Sequence, residues 1–173
     1  MTIGKKEEGI IQIVVAVIFI IGAFFISTRL EFLGNYGYLG AFLISLVSAA
    51  TVLLPVPAMA IVFGMSKFLD PILLGIVSGL GSAIGELTGF FAGDGIRDLL
   101  NDKIKESQQI EQLIHKYEIF AIILLAAIPN PFFDVAGILA GAARMKWWKF
   151  LIGCAIGRII RYILIGFIGE AVL

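Results

Sequence analysis

Charged residues, cysteine and histidine are all scarce in this chain. Its 173 residues include 13 Lys and Arg and 13 Asp and Glu, so the formal net charge is zero. No run of basic residues offers a surface for nucleic acid, which excludes that class of partner. One cysteine, Cys154, excludes an internal disulfide, and the lone histidine, His115, has no second His or Cys with which to bind a transition metal. We therefore predict neither a metal nor another cofactor.

The motifs of nucleotide-using enzymes and serine hydrolases are missing as well. The sequence contains no Gly-x-x-x-x-Gly-Lys-Ser/Thr phosphate loop and no Gly-x-Ser-x-Gly nucleophile turn. Serines are present, but none is placed with His115 in a way that suggests a catalytic triad. The sequence therefore predicts that the chain is not an enzyme.

Apolar residues, in contrast, are abundant. They make up 60% of the chain, which is more than a soluble domain of this length can bury. We predict an all-α, multi-pass integral membrane protein. The apolar run 9–27 has the length of about 20 residues that a spanning helix needs, and it lacks the small-residue cleavage site of a signal peptide. We therefore predict a retained N-terminal transmembrane helix, with the link that follows it, over residues 1–35.

The remaining sequence, residues 36–173, contains an internal repeat. Each half has an apolar stretch broken by a Pro-x-Pro element and then a glycine-rich apolar stretch. The two proline elements are 74 residues apart, at Pro55-Val56-Pro57 and Pro129-Asn130-Pro131. The glycine-rich run that ends at Glu86 matches, 72 residues later, the run that ends at Arg158. We predict a transport domain made of repeat 1 (36–93), an amphipathic cytoplasmic linker (94–118) and repeat 2 (119–173).

The distribution of Lys and Arg favours re-entrant hairpins over full spans for the two broken stretches. Short loops rich in Lys and Arg tend to stay in the cytoplasm. With the N-terminus inside and both stretches re-entering, nine basic loop residues lie inside and two outside, whereas full spans give six and five. The inner nine are Lys5, Lys6, Arg97, Lys103, Lys105, Lys116, Arg144, Lys146 and Lys149, and the outer two are Arg29 and Lys67. One true span per half then makes the halves inverted repeats whose proline tips meet near the midplane.

Four ionisable residues lie within the predicted membrane segments. They are Glu86, Asp134, Arg158 and Arg161. Because a charge at the hydrocarbon centre costs about 2.5–3.5 kcal/mol, such residues usually belong to a substrate path or a buried ion-pair network. In the first interpretation, an anionic head group meets Arg158 or Arg161 while Glu86 or Asp134 takes a proton or a counter-charge. In the second, the four charges only tie helices together.

One segment resembles a known family. The run Ala127-Ile-Pro-Asn-Pro-Phe-Phe-Asp-Val-Ala-Gly-Ile-Leu-Ala-Gly141, followed by an aromatic-rich loop and a Gly-x-x-x-Gly helix, resembles the DedA superfamily. That group is also called the SNARE-associated or VTT-domain family, and the proline motif looks closest to its vacuole membrane protein 1 branch. Gly85-Glu86-x-x-Gly-Phe-Phe is similar to the acidic stretch of the family. The resemblance covers roughly residues 36–170.

This resemblance implies two membrane-embedded hairpins in inverted repeat and the movement of lipids between leaflets. Eukaryotic members are described as phospholipid scramblases, and bacterial members as translocators of polyprenyl-phosphate carriers coupled to ion gradients. By position, Glu86 matches the acidic residue of the family, Asp134 the aspartate after the proline motif, and Arg158 or Arg161 the basic positions of the last helix. Bacterial members carry Phe-x-Arg-x-x-Pro-x-x-Arg, but residues 124–132 lack both arginines, which favours the scramblase branch.

We therefore expect a lipid scramblase or flippase that moves phospholipid or polyprenyl-phosphate head groups through a polar midplane site. Membrane lipids are the expected partners, with protons or Na+ as candidate coupling ions and a homo-oligomer as a candidate assembly. The alternatives are an ion-coupled transporter of a small soluble molecule and a non-transporting membrane assembly factor. The expected location is the cell membrane of a prokaryote, with the N-terminus in the cytoplasm.

Overall fold

The computed structural model describes residues 36–51, 58–99, 119–128 and 133–172, together with the single positions 10 and 14. The side chains of residues 97–99 and 134 are not part of this description. The predicted N-terminal transmembrane helix and most of the predicted linker lie outside the described residues. So do the predicted hairpin tips at Pro55, Pro57, Pro129, Asn130 and Pro131.

The described part of the chain is helical and contains no strand. The helices named below are, in chain order, α1 (Tyr38–Ala50), α2 (Ala58–Met65), α3 (Pro71–Leu99), α4 (Phe133–Ala142) and α5 (Trp147–Val172). Residues 119–127 are also helical and are called the 119–127 segment below. The all-α prediction is thereby confirmed. Helix α3 continues past Gly93, where the predicted linker begins, and no proline interrupts it before Leu99.

The beginning of α3 is defined by Asp70 and Pro71. Pro71 occupies the first helical position, where its missing amide hydrogen is not needed. The carboxylate of Asp70 accepts a hydrogen bond from the Leu73 amide at 2.8 Å, which caps one of the unsatisfied donors of the first turn. The Asp70 amide in turn donates to the Tyr38 hydroxyl at 3.0 Å, so the beginnings of α1 and α3 lie at the same end of the fold.

The turn between α4 and α5 is a Schellman motif. The Met145 amide donates to the Ala140 carbonyl at 3.1 Å, and the Arg144 amide donates to the Gly141 carbonyl at 2.9 Å. Arg144 adopts the left-handed conformation that this motif requires, with φ at 55°. The motif stops α4 and lets α5 begin at Trp147.

Glycines allow the first helical arm of each half to pack closely on its own long helix. In the first half, Gly81 and Gly85 of α3 face the backbone carbonyls of Phe42 and Leu46 in α1. Because the contacting residues increase together along both helices, α1 runs parallel to α3. Without a Cβ at these glycines, the helix backbones can touch, as in many helix pairs within lipid.

The second half repeats this arrangement. Gly153 and Gly157 of α5 face the carbonyls of Ile119 and Ile123, so the 119–127 segment runs parallel to α5. These two glycines are the sequence equivalents of Gly81 and Gly85. The glycine spacing that marks the internal repeat therefore corresponds to the same type of helix contact in both halves.

The two long helices cross each other in opposite directions. Gly75 of α3 contacts Ile163 of α5, and Gly79 contacts Ile159, so the residue numbers run in opposite senses. Helix α3 is central, because α1, α4 and α5 all pack on it, and α2 packs mainly on α5. Each short helix that precedes a long helix therefore contacts the long helix of the other half: α2 contacts α5, and α4 contacts α3.

Within the described ranges, two helices are long and apolar enough to cross a bilayer by length and composition. They are Pro71–Ile96 and Trp147–Val172, each of 26 residues. At 1.5 Å per residue each is about 39 Å long, against about 30 Å of hydrocarbon. Helix α1 has 13 residues and is about 20 Å long, which is too short to span. The exposed face of α5 carries Ile152, Ile156, Ile160 and Leu164 at helical spacing, as lipid contact requires.

Candidate functional site

The predicted site residue Glu86 lies near the middle of α3 and is 2% exposed. It is fifteen residues after Pro71, or about 22 Å from the beginning of a helix that is about 44 Å long. The α1 contact surface of α3, at Gly81 and Gly85, lies directly before it. Glu86 is therefore an acidic group at the centre of the fold, far from both ends of its helix.

Arg158 is the ion-pair partner of Glu86. Its Nη2 donates a hydrogen bond to Oε1 of the carboxylate, and both side chains are buried. The two residues hold equivalent positions in the sequence repeat, near the middles of α3 and α5. Because these helices cross in opposite directions, equivalent positions near the crossing meet each other. The pair thus lies where the two halves of the domain contact.

Aromatic rings close one side of the ion pair. The Arg158 guanidinium carbon lies 4.6 Å from the centroid of the Phe133 ring, in the range of a cation–π contact. Phe133 stacks on Phe150 with centroids 6.5 Å apart, and Phe150 stacks on Phe90 at 5.0 Å. These rings belong to α3, α4 and α5, so the same three helices that cross here also shield the charges from solvent.

Arg161 lies one turn after Arg158 and contacts a different partner. It is 4% exposed, and its Nη2 donates to the carbonyl of Ile128, just past the end of the 119–127 segment. A cation at the carboxyl end of a helix is favourable because the last carbonyls carry partial negative charge. Arg161 therefore ties α5 to the chain immediately before the Pro129 motif.

The first half has a neutral counterpart to this contact. The Thr88 hydroxyl lies 3.3 Å from the carbonyl of Ala50, at the carboxyl end of α1. In both halves a polar side chain of the long helix thus reaches the end of the first arm. Only the second half uses a charged group for it.

Space remains beside the carboxylate of Glu86 at Gly137 of α4. A Cβ at Gly137 would lie 3.7 Å from Oε2 of Glu86 and 3.5 Å from the Phe150 ring, which are ordinary van der Waals contacts. The other glycine of this helix with a close neighbour, Gly141, faces the carbonyl of Phe90 so closely that a Cβ would overlap it. Gly137 is therefore not required for helix contact.

The structure brings together three of the four charged residues that the sequence predicts as a site. Glu86 and Arg158 are paired, and Arg161 lies one turn away. The backbone of Asp134 belongs to α4, one residue after Phe133, but its side chain lies outside the description. The cation–π partner Phe133 is a site residue that sequence reasoning missed. Its place beside the proline motif and Asp134 is the signal that could have suggested it.

Among the residues that the structure describes, no group of three His, Cys, Asp or Glu side chains could hold a metal ion. The charged side chains described at this site are the carboxylate of Glu86 and the guanidinium groups of Arg158 and Arg161. Guanidinium groups bind phosphate and carboxylate through paired hydrogen bonds, and a carboxylate can accept from an ammonium group. Chemically, this set is suited to a ligand that carries a phosphate, an amine or both.

Comparison with known proteins identifies the family. The family model described as the VTT domain matches residues 54–171. The vacuole membrane protein KMS2 of Arabidopsis thaliana is 33% identical over 104 residues, which cover 49% of this chain and 25% of the relative. The vacuole membrane protein 1 homolog of Dictyostelium discoideum is 31% identical over 107 residues, covering 47% and 27%. Human vacuole membrane protein 1 is 29% identical over 104 residues, covering 47% and 26%.

The family-model match covers the region that contains the paired charges. The chain spans about a quarter of the length of the relatives it matches. No solved structure matches it significantly. The family-model match extends over more than half of the chain and includes α3, α4 and nearly all of α5. The chain is therefore a membrane protein that belongs to the VTT-domain, or DedA, family.

Proposed function

We propose that this protein moves lipid head groups between the two leaflets of a membrane. The observation that carries the proposal is the Glu86–Arg158 ion pair, buried with Arg161 at the crossing of the two long apolar helices. Breaking the apolar interior of a membrane domain with three charges is costly, so a functional reason is expected for it. Asp134 is proposed as a fourth member of the same path.

The chemistry of the site supports a phospholipid as the substrate. A zwitterionic head group carries a phosphate and an amine, and an anionic head group carries the phosphate alone. In the proposed path, Arg158 or Arg161 receives the phosphate while Glu86 or Asp134 receives an amine or a proton. The lipid replaces the internal partner of each charge, so no charge is left without a counter-charge during passage.

The proposed architecture is a pair of re-entrant hairpins in inverted repeat. It is supported by the lengths of α1 and α2, about 20 Å and 12 Å, which do not reach across about 30 Å of hydrocarbon. It is also supported by helix direction, because α1 is parallel to α3, the 119–127 segment is parallel to α5, and the two long helices are antiparallel. We propose that the proline tips meet near the ion pair and provide backbone carbonyls to a hydrated groove.

The relatives agree with this proposal only in being membrane proteins. They are named as vacuole membrane proteins, and the chain covers about a quarter of each. Lipid substrates, protons or Na+ as coupling ions, and a homo-oligomer are therefore proposals for this chain itself. The cell membrane of a prokaryote and a cytoplasmic N-terminus are proposed from the sequence. An ion-coupled carrier of a small soluble molecule and a membrane assembly factor remain the rival functions.

Reconstitution in liposomes tests lipid movement directly. Purified full-length protein is incorporated with a fluorescent phospholipid present in both leaflets, and dithionite is added to bleach the outer leaflet. In protein-free liposomes roughly half of the fluorescence is protected, because charged head groups do not cross hydrocarbon. With the wild-type protein the protected pool should also be lost, and Glu86→Gln and Arg161→Ala should slow that loss.

Matched variants separate the site from general damage. Glu170→Gln removes an exposed carboxylate near the end of α5, and Lys146→Ala removes an exposed cation from the turn before it. Both should scramble lipid at the wild-type rate. If the wild-type protein leaves the inner pool protected, the scramblase proposal fails. A carrier of soluble molecules would instead protect the inner pool and show uptake that a proton uncoupler abolishes.

A further inference from the structure

Three buried serine hydroxyls lack a hydrogen-bond partner among the described residues. They belong to Ser45 of α1 and to Ser78 and Ser82 of α3, and these residues are at most 1% exposed. A buried hydroxyl without a partner carries the full cost of its desolvation. A polar ligand at these hydroxyls would remove that cost.

Other buried hydroxyls of the same helices do have partners. The Thr51 hydroxyl, directly after α1, donates to the Val47 carbonyl at 3.2 Å, and the Thr88 hydroxyl of α3 lies 2.9 Å from the Gly85 carbonyl. Such bonds to the preceding turn are the usual solution for Ser and Thr in helices. Ser45, Ser78 and Ser82 do not use it, so the difference is specific to these three positions.

Two of the serines form a row with the ion pair. Ser78, Ser82 and Glu86 are four residues apart along α3, so they lie on one face of the helix, a turn from one another. All three side chains are buried. The row therefore leads along the interior of the domain to the carboxylate that pairs with Arg158.

Ser45 faces this row from α1. Gly81 contacts Phe42 and Gly85 contacts Leu46, so the parallel packing sets Ser45 at the depth between Ser82 and Glu86. On helical wheels of the two parallel helices, Ser45 and Ser82 lie on the same side of the α1–α3 contact. The Ser45 hydroxyl of α1 thus faces the polar row of α3.

An apolar cluster marks the other end of the row. Leu74, one turn before Ser78, is fully buried with Ala41, Val62 and Tyr162. The row therefore extends from this apolar cluster to the ion pair and carries no charge of its own before Glu86. The hydroxyls carry no charge, and each of them can donate and accept hydrogen bonds, which matches a neutral ligand such as water.

We propose that Ser45, Ser78 and Ser82 form an internal water-binding site whose water molecules reach the Glu86 carboxylate. Buried waters typically make about three hydrogen bonds each, and the hydroxyls with the carboxylate provide such partners. The bound water hydrates the ion pair from the α1 side. The Phe133 ring, in contrast, covers the pair with an apolar surface. The proposal does not depend on lipid movement, because hydration can be measured in the purified protein alone.

Thiol oxidation tests the hydration of the row. Ser78→Cys and Ser82→Cys are made in a Cys154→Ala background, and oxidation by hydroxyl radicals that X-rays generate from bound water is followed by mass spectrometry. The radicals react close to the water molecule that produces them, so a thiol beside enclosed water is oxidised even where no larger reagent can enter. Both variants should react at least about ten-fold faster than Ala83→Cys, a fully buried control, corresponding to about 1.4 kcal/mol. Rates equal to that of the control would overturn the proposal.

Thermal stability provides a second test, because hydrated and dry hydroxyls predict changes of opposite sign in the Tm of the serine-to-alanine variants. If the hydroxyls are hydrated, Ser78→Ala and Ser82→Ala remove hydrogen bonds to bound water and should lower the Tm of the purified protein. If the hydroxyls are dry, the same changes remove an unsatisfied polar group and should raise the Tm. An increase in Tm for both variants would therefore overturn the proposal whatever the oxidation rates. Glu170→Gln, an exposed change on α5, should leave the Tm unaltered.

Discussion

The paired charges of Glu86 and Arg158 depend on each other at the level of single residues. Both side chains are buried, so removal of either one leaves the other buried without the counter-charge that it pairs with here. In soluble proteins that change typically destabilises by about 3–5 kcal/mol, whereas replacement of both charges together can be close to neutral. The buried pair alone therefore does not distinguish a structural ion pair from a transport site.

A comparison of single and double substitutions does distinguish them. We expect Glu86→Gln to lower the free energy of unfolding by about 3 kcal/mol or more, and Glu86→Gln with Arg158→Gln to recover a large part of that loss. Chemical unfolding in detergent measures both values. If the charges form the lipid path, the double variant should be folded but should scramble lipid no faster than protein-free liposomes.

The structural interpretation leads to the opposite result. A double variant that is stable and scrambles at the wild-type rate would mean that the pair only holds α3 and α5 together. Glu170→Gln serves as the control for the chemical change, because Glu170 is exposed on the same helix as Arg158. Its free energy of unfolding and scrambling rate should both match those of the wild type.

The sequence indicates which charges are unusual but not how they pair. Glu86 and Arg158 can be identified from their place in apolar runs and their equivalent positions in the repeat. That they bind each other depends on the antiparallel crossing of α3 and α5, which no local pattern encodes. The contact of Arg161 with the Ile128 carbonyl and the ring of Phe133 over Arg158 are long-range contacts of the same kind. The serine row is visible in the spacing of Ser78, Ser82 and Glu86 only once burial is known.

At the scale of helices, glycines decide how closely the elements approach. Gly93 of α3 faces the carbonyl of Ile138, and Gly141 of α4 faces the carbonyl of Phe90, so these two helices touch through their backbones. Gly137 lies on the same helix as Gly141 and has room for a methyl group. Helix α4 therefore contains one glycine that packing requires and another that it does not.

Alanine substitutions at these two glycines should have opposite effects on stability. Gly137→Ala fits without displacement and adds helix propensity, so we expect an increase of up to about 1 kcal/mol in the free energy of unfolding. Gly141→Ala forces α4 away from α3, and we expect a loss of about 1–3 kcal/mol, as for other overpacked interiors. Chemical unfolding in detergent, under the same conditions for both variants, measures the difference.

Gly137→Ala and Gly141→Ala control for each other, because both replace glycine with alanine in the same helix. Equal destabilisation by both substitutions would contradict the room for a methyl group at Gly137, and a Gly141→Ala variant as stable as the wild type would contradict the close contact of α4 with α3. Because the added methyl group of Gly137→Ala would sit beside Oε2 of Glu86, a lower scrambling rate in this stable variant would add support for a path at that carboxylate.

Helix contacts were the most predictable elements of the fold. Gly81 and Gly153 hold equivalent positions in the repeat that the sequence shows, and each of them contacts the first arm of its own half. The end of α3 was less predictable, because the polar composition after Gly93 resembles a surface linker although the helix continues to Leu99. Composition reports the change of environment along a helix, whereas the end of the helix depends on capping and packing.

At the scale of the whole molecule, helix direction relates the two halves. The first arm of each half lies parallel to its long helix, and the long helices are antiparallel, which is the arrangement that the proposed inverted repeat requires. The short helix before each long helix packs on the other half, at Phe63 with Gly169 and at Ile138 with Gly93. The two halves therefore contact each other through their short helices as well as through their long helices.

The orientation of the domain in the membrane is the last prediction, and it separates re-entrant hairpins from full spans. With hairpins, the link at Lys67 faces outside and the segment around Gln108 faces the cytoplasm, which gives nine basic loop residues inside and two outside. With full spans, both positions change sides. We therefore expect an impermeant maleimide added to intact cells to label Lys67→Cys, and to label Gln108→Cys only after the cells are opened. A Cys154→Ala background without an added cysteine is the control, and labelling of Gln108→Cys in intact cells would mean that the broken stretches cross the membrane.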